Sequence, residues 1–106
     1  MTTRRGGRYR ETEVRVLIEQ YAIALEDRDT TERGLRALVA IADLKLAYRR
    51  LSLGDKEVLL VCGVLGVPQR EAGEWYEKSV GWVNKNYRIA LENLTYEMNG
   101  GPRGYS

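Results

Sequence analysis

Apolar residues return every three or four positions through most of this chain, and polar or glycine-containing stretches cut that rhythm into separate runs. The first run starts at Glu11, where Val14, Leu17, Ile18, Tyr21, Ala22 and Leu25 share one helical face. Asp27-Arg28-Asp29 ends it, and Thr30 or Thr31 is placed to cap the next helix. The second run carries the broadest stripe: Leu35, Leu38, Val39, Ala42, Leu46 and Leu51, widened by Ile41, Leu44 and Tyr48. A face this wide predicts cover on more than one side, from the first helix and from the C-terminal half. Leu51 to Gly54 then breaks the run.

A third helix is expected from Asp55, with Val58, Leu59, Cys62 and Leu65 inward. Gly66 suits a left-handed cap, and Pro68 cannot continue that helix but can open the next. The fourth segment is short, Gln69 to Glu77. Ser79 is a good cap for a long fifth helix whose inward positions are Val80 or Val83, then Tyr87, Ala90, Leu91, Leu94 and Met98. Asn99-Gly100-Gly101-Pro102 stops it. No run alternates as a strand does. The expected fold is all-α, with four or five helices. Residues 1–10 are expected to form a flexible basic arm and 11–53 a helical pair for support or oligomerisation. Residues 54–99 form a C-terminal tri-helical unit, and 100–106 a tail.

Charge and composition narrow the chemistry. The 106 residues suit one domain, and charges interrupt every apolar stretch too early for a membrane span. No apolar segment follows the N-terminal arginines, so a cytoplasmic protein without a secretory signal is expected. Cys62 is the single cysteine and histidine is absent, which leaves no intrachain disulfide and no histidine-based catalysis. Glu71, Glu74 and Glu77 share a helix but lack the partners of a metal or phosphoryl-transfer site. We expect no enzyme, no cofactor and no small-molecule ligand. The formal net charge of +2 is unevenly spread: Arg4, Arg5, Arg8 and Arg10 stand without an acid, whereas residues 54–94 hold six acids and five bases. A polyanion would meet particular patches, not a uniformly basic surface.

From Leu51 to Leu94 the chain resembles region 4 of bacterial sigma factors and the sigma-like domains of related transcription regulators, many of them from phages. The residues that carry the likeness are Lys56-Glu57-Val58-Leu59, Gly66-Val67-Pro68, Glu71-Ala72-Gly73, Ser79-Val80-Gly81-Trp82-Val83, Ala90 and Leu94, in register and without a gap. The chain departs from the family pattern at Gly73, in place of a buried alanine, and at Glu77, in place of the turn glycine. Lys78 stands for an apolar turn residue, Trp82 for threonine, and Ile89 for a basic residue.

The likeness implies a helix-turn-helix in which the 79–98 helix reads duplex DNA in the major groove, with RNA polymerase as a second partner. It implies that Glu71 lies near the DNA backbone, Ser79 caps the reading helix, and Gly81, Trp82 and Lys85 lie at the groove. From the residues themselves, Asn84, Asn86 and Arg88 face outward beside them and Arg70 belongs to the supporting helix; asparagine pairs with adenine, and lysine or arginine with guanine or phosphate. Arg4, Arg5, Arg8 and Arg10, with Arg49 and Arg50, are candidate phosphate contacts. Three functions follow as expectations. The first is a small DNA-binding transcription regulator. The second is a phage DNA-packaging protein of the small-terminase kind, or a recombination accessory, oligomerising through 11–53. The third is a sigma mimic that binds protein without reading DNA.

Overall fold

The computed structural model describes residues 9–21 and 32–101, with the side chains of 32–37 excepted. Ala22, Leu25, the capping threonines Thr30 and Thr31, the side chain of Leu35, and Arg4, Arg5 and Arg8 lie outside the described residues. Within them the fold is all-α with five helices: α1 (Glu11–Glu19), α2 (Glu32–Arg49), α3 (Leu53–Val58), α4 (Gln69–Tyr76) and α5 (Val80–Met98). A wider π-helical segment, Leu59–Val64, continues α3 without a break. No strand occurs among the described residues, and none of their helices is long and apolar enough to cross a membrane.

The core is built around α5. Val83, Tyr87, Ala90, Leu91, Leu94 and Met98 are all buried along its inner face, as the spacing predicts, whereas Val80 is exposed. This face meets Val14 and Ile18 of α1, Leu44 and Ala47 of α2, Val58 of α3, Leu59 and Cys62 of the π-helical segment, and Ala72 of α4. Every other described helix touches α5. At about 25 cal/mol per Å² of apolar surface, burial of this one stripe supplies much of the drive to fold.

Two packing expectations are corrected. Among the described side chains of α2 the buried ones are Ile41, Leu44 and Ala47, with Leu51 just beyond, while Leu38, Val39, Ala42 and Leu46 point to solvent. Large apolar residues cover more than half of the helix circumference, so the neighbours decide which stripe turns inward. In the third helix Leu65 is 63% exposed. There Leu65 N–H bonds to the Leu60 carbonyl five residues back, at 2.8 Å. This wider winding adds a residue to the turn and carries Leu65 off the inner face. Gly66 follows at φ +69, and the Val67 N–H then bonds to the Val61 carbonyl to close the helix end.

Helix starts obey local chemistry. The Ser52 hydroxyl accepts the Asp55 N–H at 3.2 Å, so α3 begins two residues earlier than the sequence suggests. The Ser79 hydroxyl accepts the Trp82 N–H at 3.1 Å and starts α5 where expected. The flexible arm expected over residues 1–10 is corrected at its end, where Tyr9 and Arg10 are hydrogen-bonded to the fold. The Tyr9 N–H donates to Asn99 Oδ1 at 2.8 Å, and Asn99 Nδ2 donates to the Tyr9 carbonyl at 3.0 Å. The Tyr9 hydroxyl donates to Asp43, and the Arg10 N–H to Glu13 at 2.8 Å, which caps α1.

Candidate functional site

The α4–α5 corner gathers most of the candidate reading residues. Glu77 ends α4 in the left-handed conformation, φ 57, and the Lys78 N–H bonds back to the Gly73 carbonyl at 2.8 Å. The turn folds so tightly that a Cβ on Gly73 would lie 2.7 Å from the Lys78 carbonyl oxygen. Gly73 therefore has a steric cause: alanine, the residue the resemblance expects, does not fit this turn. With Ala72 and Val83 buried between the two helices, Gly81, Trp82, Lys85 and Arg88 are left exposed on α5, and Arg70 and Glu71 on α4.

Trp82 is 39% exposed and held on two sides. Its ring meets Tyr76 edge-on at 5.9 Å, and Lys78 Nζ sits 5.5 Å from its centroid. The tryptophan is thus a fixed aromatic surface. Of the aromatic pair on α4, Tyr76 packs partly inward and Trp75 is 57% exposed. The two asparagines are engaged with the protein. Asn84 Nδ2 donates to Gln69 Oε1 at 3.2 Å, and Asn86 Nδ2 donates to the Trp82 carbonyl at 2.8 Å. Pairing either amide bidentately with a base would require its release.

The basic candidates divide between the two ends of α5. Lys78, Lys85, Arg88 and Arg70 belong to the α4–α5 corner. Arg50 instead lies 3.9 Å from Glu97, roughly 22 Å along the helix from Trp82 at 1.5 Å per residue. Arg10 belongs to that far end too, through Tyr9 and Asn99. Arg49 lines a separate cleft of about 390 Å³ between α1, α2 and the π-helical segment, with Lys45 and an apolar floor of Ile18, Leu44, Leu60 and Val64. A single surface at the corner therefore does not include Arg10 or Arg50.

Several consequential residues escaped sequence reasoning. Asn99 is buried and spends its amide on Tyr9; in the sequence it is only part of a stop signal. Asp55, Glu57, Tyr76 and Trp82 come together around a cleft of about 320 Å³ beside the corner. Their separation along the chain hides this cluster. Asp55 Oδ2 also accepts from Asn93 Nδ2 at 2.8 Å, tying α3 to α5. Burial, then the nearby Glu57 and Cys62, raise the Tyr76 phenol pKa, so it stays a neutral hydroxyl. Burial likewise raises the Cys62 thiol, which keeps it away from the reactive thiolate form. No group of three or more potential metal ligands occurs among the described residues. In comparisons with known proteins no family model, curated protein or solved structure matched this chain.

Proposed function

We propose that this chain is a small transcription regulator that binds duplex DNA through a helix-turn-helix formed by α4 and α5, with α3 as the third helix behind them. The observation that carries the reading is the α4–α5 corner itself. A short helix, a turn locked by Glu77 and Gly73, and a serine-capped long helix leave the first two turns of α5 exposed over a buried Val83 and Tyr87. This supports groove entry by the N-terminal half of α5. Lys85 and Arg88 contact phosphate or base edges; Trp82 packs on sugar or a thymine methyl; Gly81 allows close approach. Ser79 acts as the cap, and Arg70 and Glu71 flank the backbone from α4.

Fluorescence anisotropy on random and selected duplexes tests this directly. Lys85→Ala should weaken binding and lower the salt slope by roughly 0.9 for a lost phosphate contact. Trp82→Ala should weaken it more on selected than on random duplexes. No duplex binding by the intact chain at low salt, or affinity indifferent to both substitutions, would defeat the proposal.

A second reading is a protein-interaction module, with RNA polymerase as the partner. The six acids against five bases of residues 54–94, together with exposed Trp75 and Leu65, favour it. Oligomerisation through residues 11–53, as a packaging or recombination accessory requires, has its support in the exposed Leu38, Val39 and Leu46 of α2. A pull-down from bacterial lysate with and without nuclease separates these: polymerase retained after nuclease treatment favours the interaction module.

A further inference from the structure

The cleft of about 390 Å³ between α1, α2 and the π-helical segment has the size of a small-ligand site and includes no residue of the α4–α5 corner. Its floor is apolar and firm. Ile18 and Leu44 are buried core residues, and the Tyr48 hydroxyl donates to the Lys56 carbonyl at 2.8 Å, which holds that ring in place. Leu60 and Val64 line it from the π-helical segment, and Leu60 remains 43% exposed. Widened helical turns of this kind are rare and gather at functional sites. Lys45 and Arg49, one turn apart on α2, also line the cleft, and its described lining contains no acid. Both are exposed, and neither side chain has an ion-pair or hydrogen-bond partner among the described residues.

We infer that this cleft binds a small amphipathic anion, an aliphatic chain ending in a carboxylate. Such a molecule is matched at both ends. Its chain leaves water against Ile18, Leu44, Leu60 and Val64, while its carboxylate meets Lys45 and the planar fork of Arg49. A hydrocarbon without the carboxylate forgoes the second interaction, and an aliphatic amine is repelled by the two cations. An inorganic anion leaves the apolar floor uncovered. The lining comes from three stretches, 18–21, 44–49 and 60–64, so no local motif announces it. For that reason sequence reading leads to the opposite expectation, that no small-molecule ligand is bound.

Isothermal titration calorimetry with hexanoate, octanoate and decanoate, on the full chain without DNA, tests this. One saturable site per chain is expected, with affinity rising roughly ten-fold for each pair of added methylenes that the cleft takes up. Octanoate should bind roughly ten-fold tighter than octylamine, or more. In a chain carrying Lys45→Glu and Arg49→Glu, both at exposed positions, that preference should reverse. The milder Lys45→Gln and Arg49→Gln pair should lose the preference without reversing it, and it keeps the test decisive if a urea melt shows the reversed chain unfolded. Lys85→Ala, at the corner proposed to read DNA, should leave octanoate affinity unchanged, so failure of the DNA reading and failure of this one are separate results. No saturable binding of any of the three carboxylates overturns the inference. So does equal affinity for octanoate and octylamine, or a preference for octanoate that survives both pairs of substitutions, since the chain would then lie on apolar surface away from Lys45 and Arg49.

Discussion

Gly73 and Glu77 exchange the residue types that a helix end of this kind ordinarily uses. A left-handed C-terminal position favours glycine, because a side chain there costs roughly 1–2 kcal/mol. Here glutamate occupies it, and the glycine sits four residues earlier, where the Lys78 carbonyl comes too close for a Cβ. Gly73→Ala should therefore destabilise the domain by about 1–3 kcal/mol through overpacking against backbone, although alanine is the better helix former by about 1 kcal/mol. Glu77→Gly should be neutral or stabilising by up to about 1 kcal/mol, since relief of strain exceeds the entropy of an added glycine. Urea melts of both variants check this, and a stabilising Gly73→Ala would mean the turn is looser than described. Both residues stand out in the sequence as departures from the resembling motif, yet their mutual compensation does not. It depends on a carbonyl that only the folded turn brings near. The Asn99 clamp is hidden for a similar reason, because its partner Tyr9 lies 90 residues away in the chain.

Helix α5 was legible because its polar and apolar positions separate cleanly, and the neighbours accept the face that the sequence presents. Helix α2 was legible as a helix but not in phase. With large apolar residues over more than half of its circumference, the inward face is chosen by what packs against it, and Ile41, Leu44 and Ala47 prevail over Leu38, Val39 and Leu46. The π-helical segment defeats sequence periodicity differently, since the regular helical period holds only until the wider turn intervenes. Leu59 and Leu65 make this measurable. Leu59 is fully buried, and Leu59→Ala should cost about 2–5 kcal/mol. Leu65 is exposed, and Leu65→Ala should stay within about 0.5 kcal/mol, although a regular α-helix would have placed it inward. Denaturant midpoints at constant slope report both values. Comparable losses at the two positions would show that the helix does not widen in solution. The same widening moves Leu65 to the surface, where it is 63% exposed.

Across the whole molecule, pH acts on the core through groups that burial keeps protonated. Tyr48, Cys62, Tyr76 and Tyr87 all have raised pKa values, with burial the first cause in each case. Tyr87 is pushed furthest. It is buried in the central face of α5 and donates to Glu19 Oε2 at 2.8 Å, and the Glu19 charge adds to the rise while Arg15 opposes it. Arg15 Nε holds the same Glu19 oxygen at 3.0 Å, so α1 is fastened to α5 through one carboxylate. The folded chain keeps protons that the unfolded chain releases near the ordinary values of 9.0 for cysteine and 10.0 for tyrosine. Stability from these groups is therefore complete below those values and is lost as pH rises through and beyond them. With no histidine in the chain, no side chain has an ordinary pKa near neutrality, so the decline should begin only in the alkaline range. Tyr87→Phe should cost about 1 kcal/mol at neutral pH by removing the hydrogen bond to Glu19. Above about pH 10 the phenylalanine variant has no phenol to ionise, and its disadvantage should shrink as the unmodified chain loses stability faster. Urea midpoints for both proteins between neutral pH and pH 11 give the comparison. Two parallel curves would show that the Tyr87 phenol titrates alike in the folded and unfolded chains, and that the link from α1 to α5 does not rest on its proton.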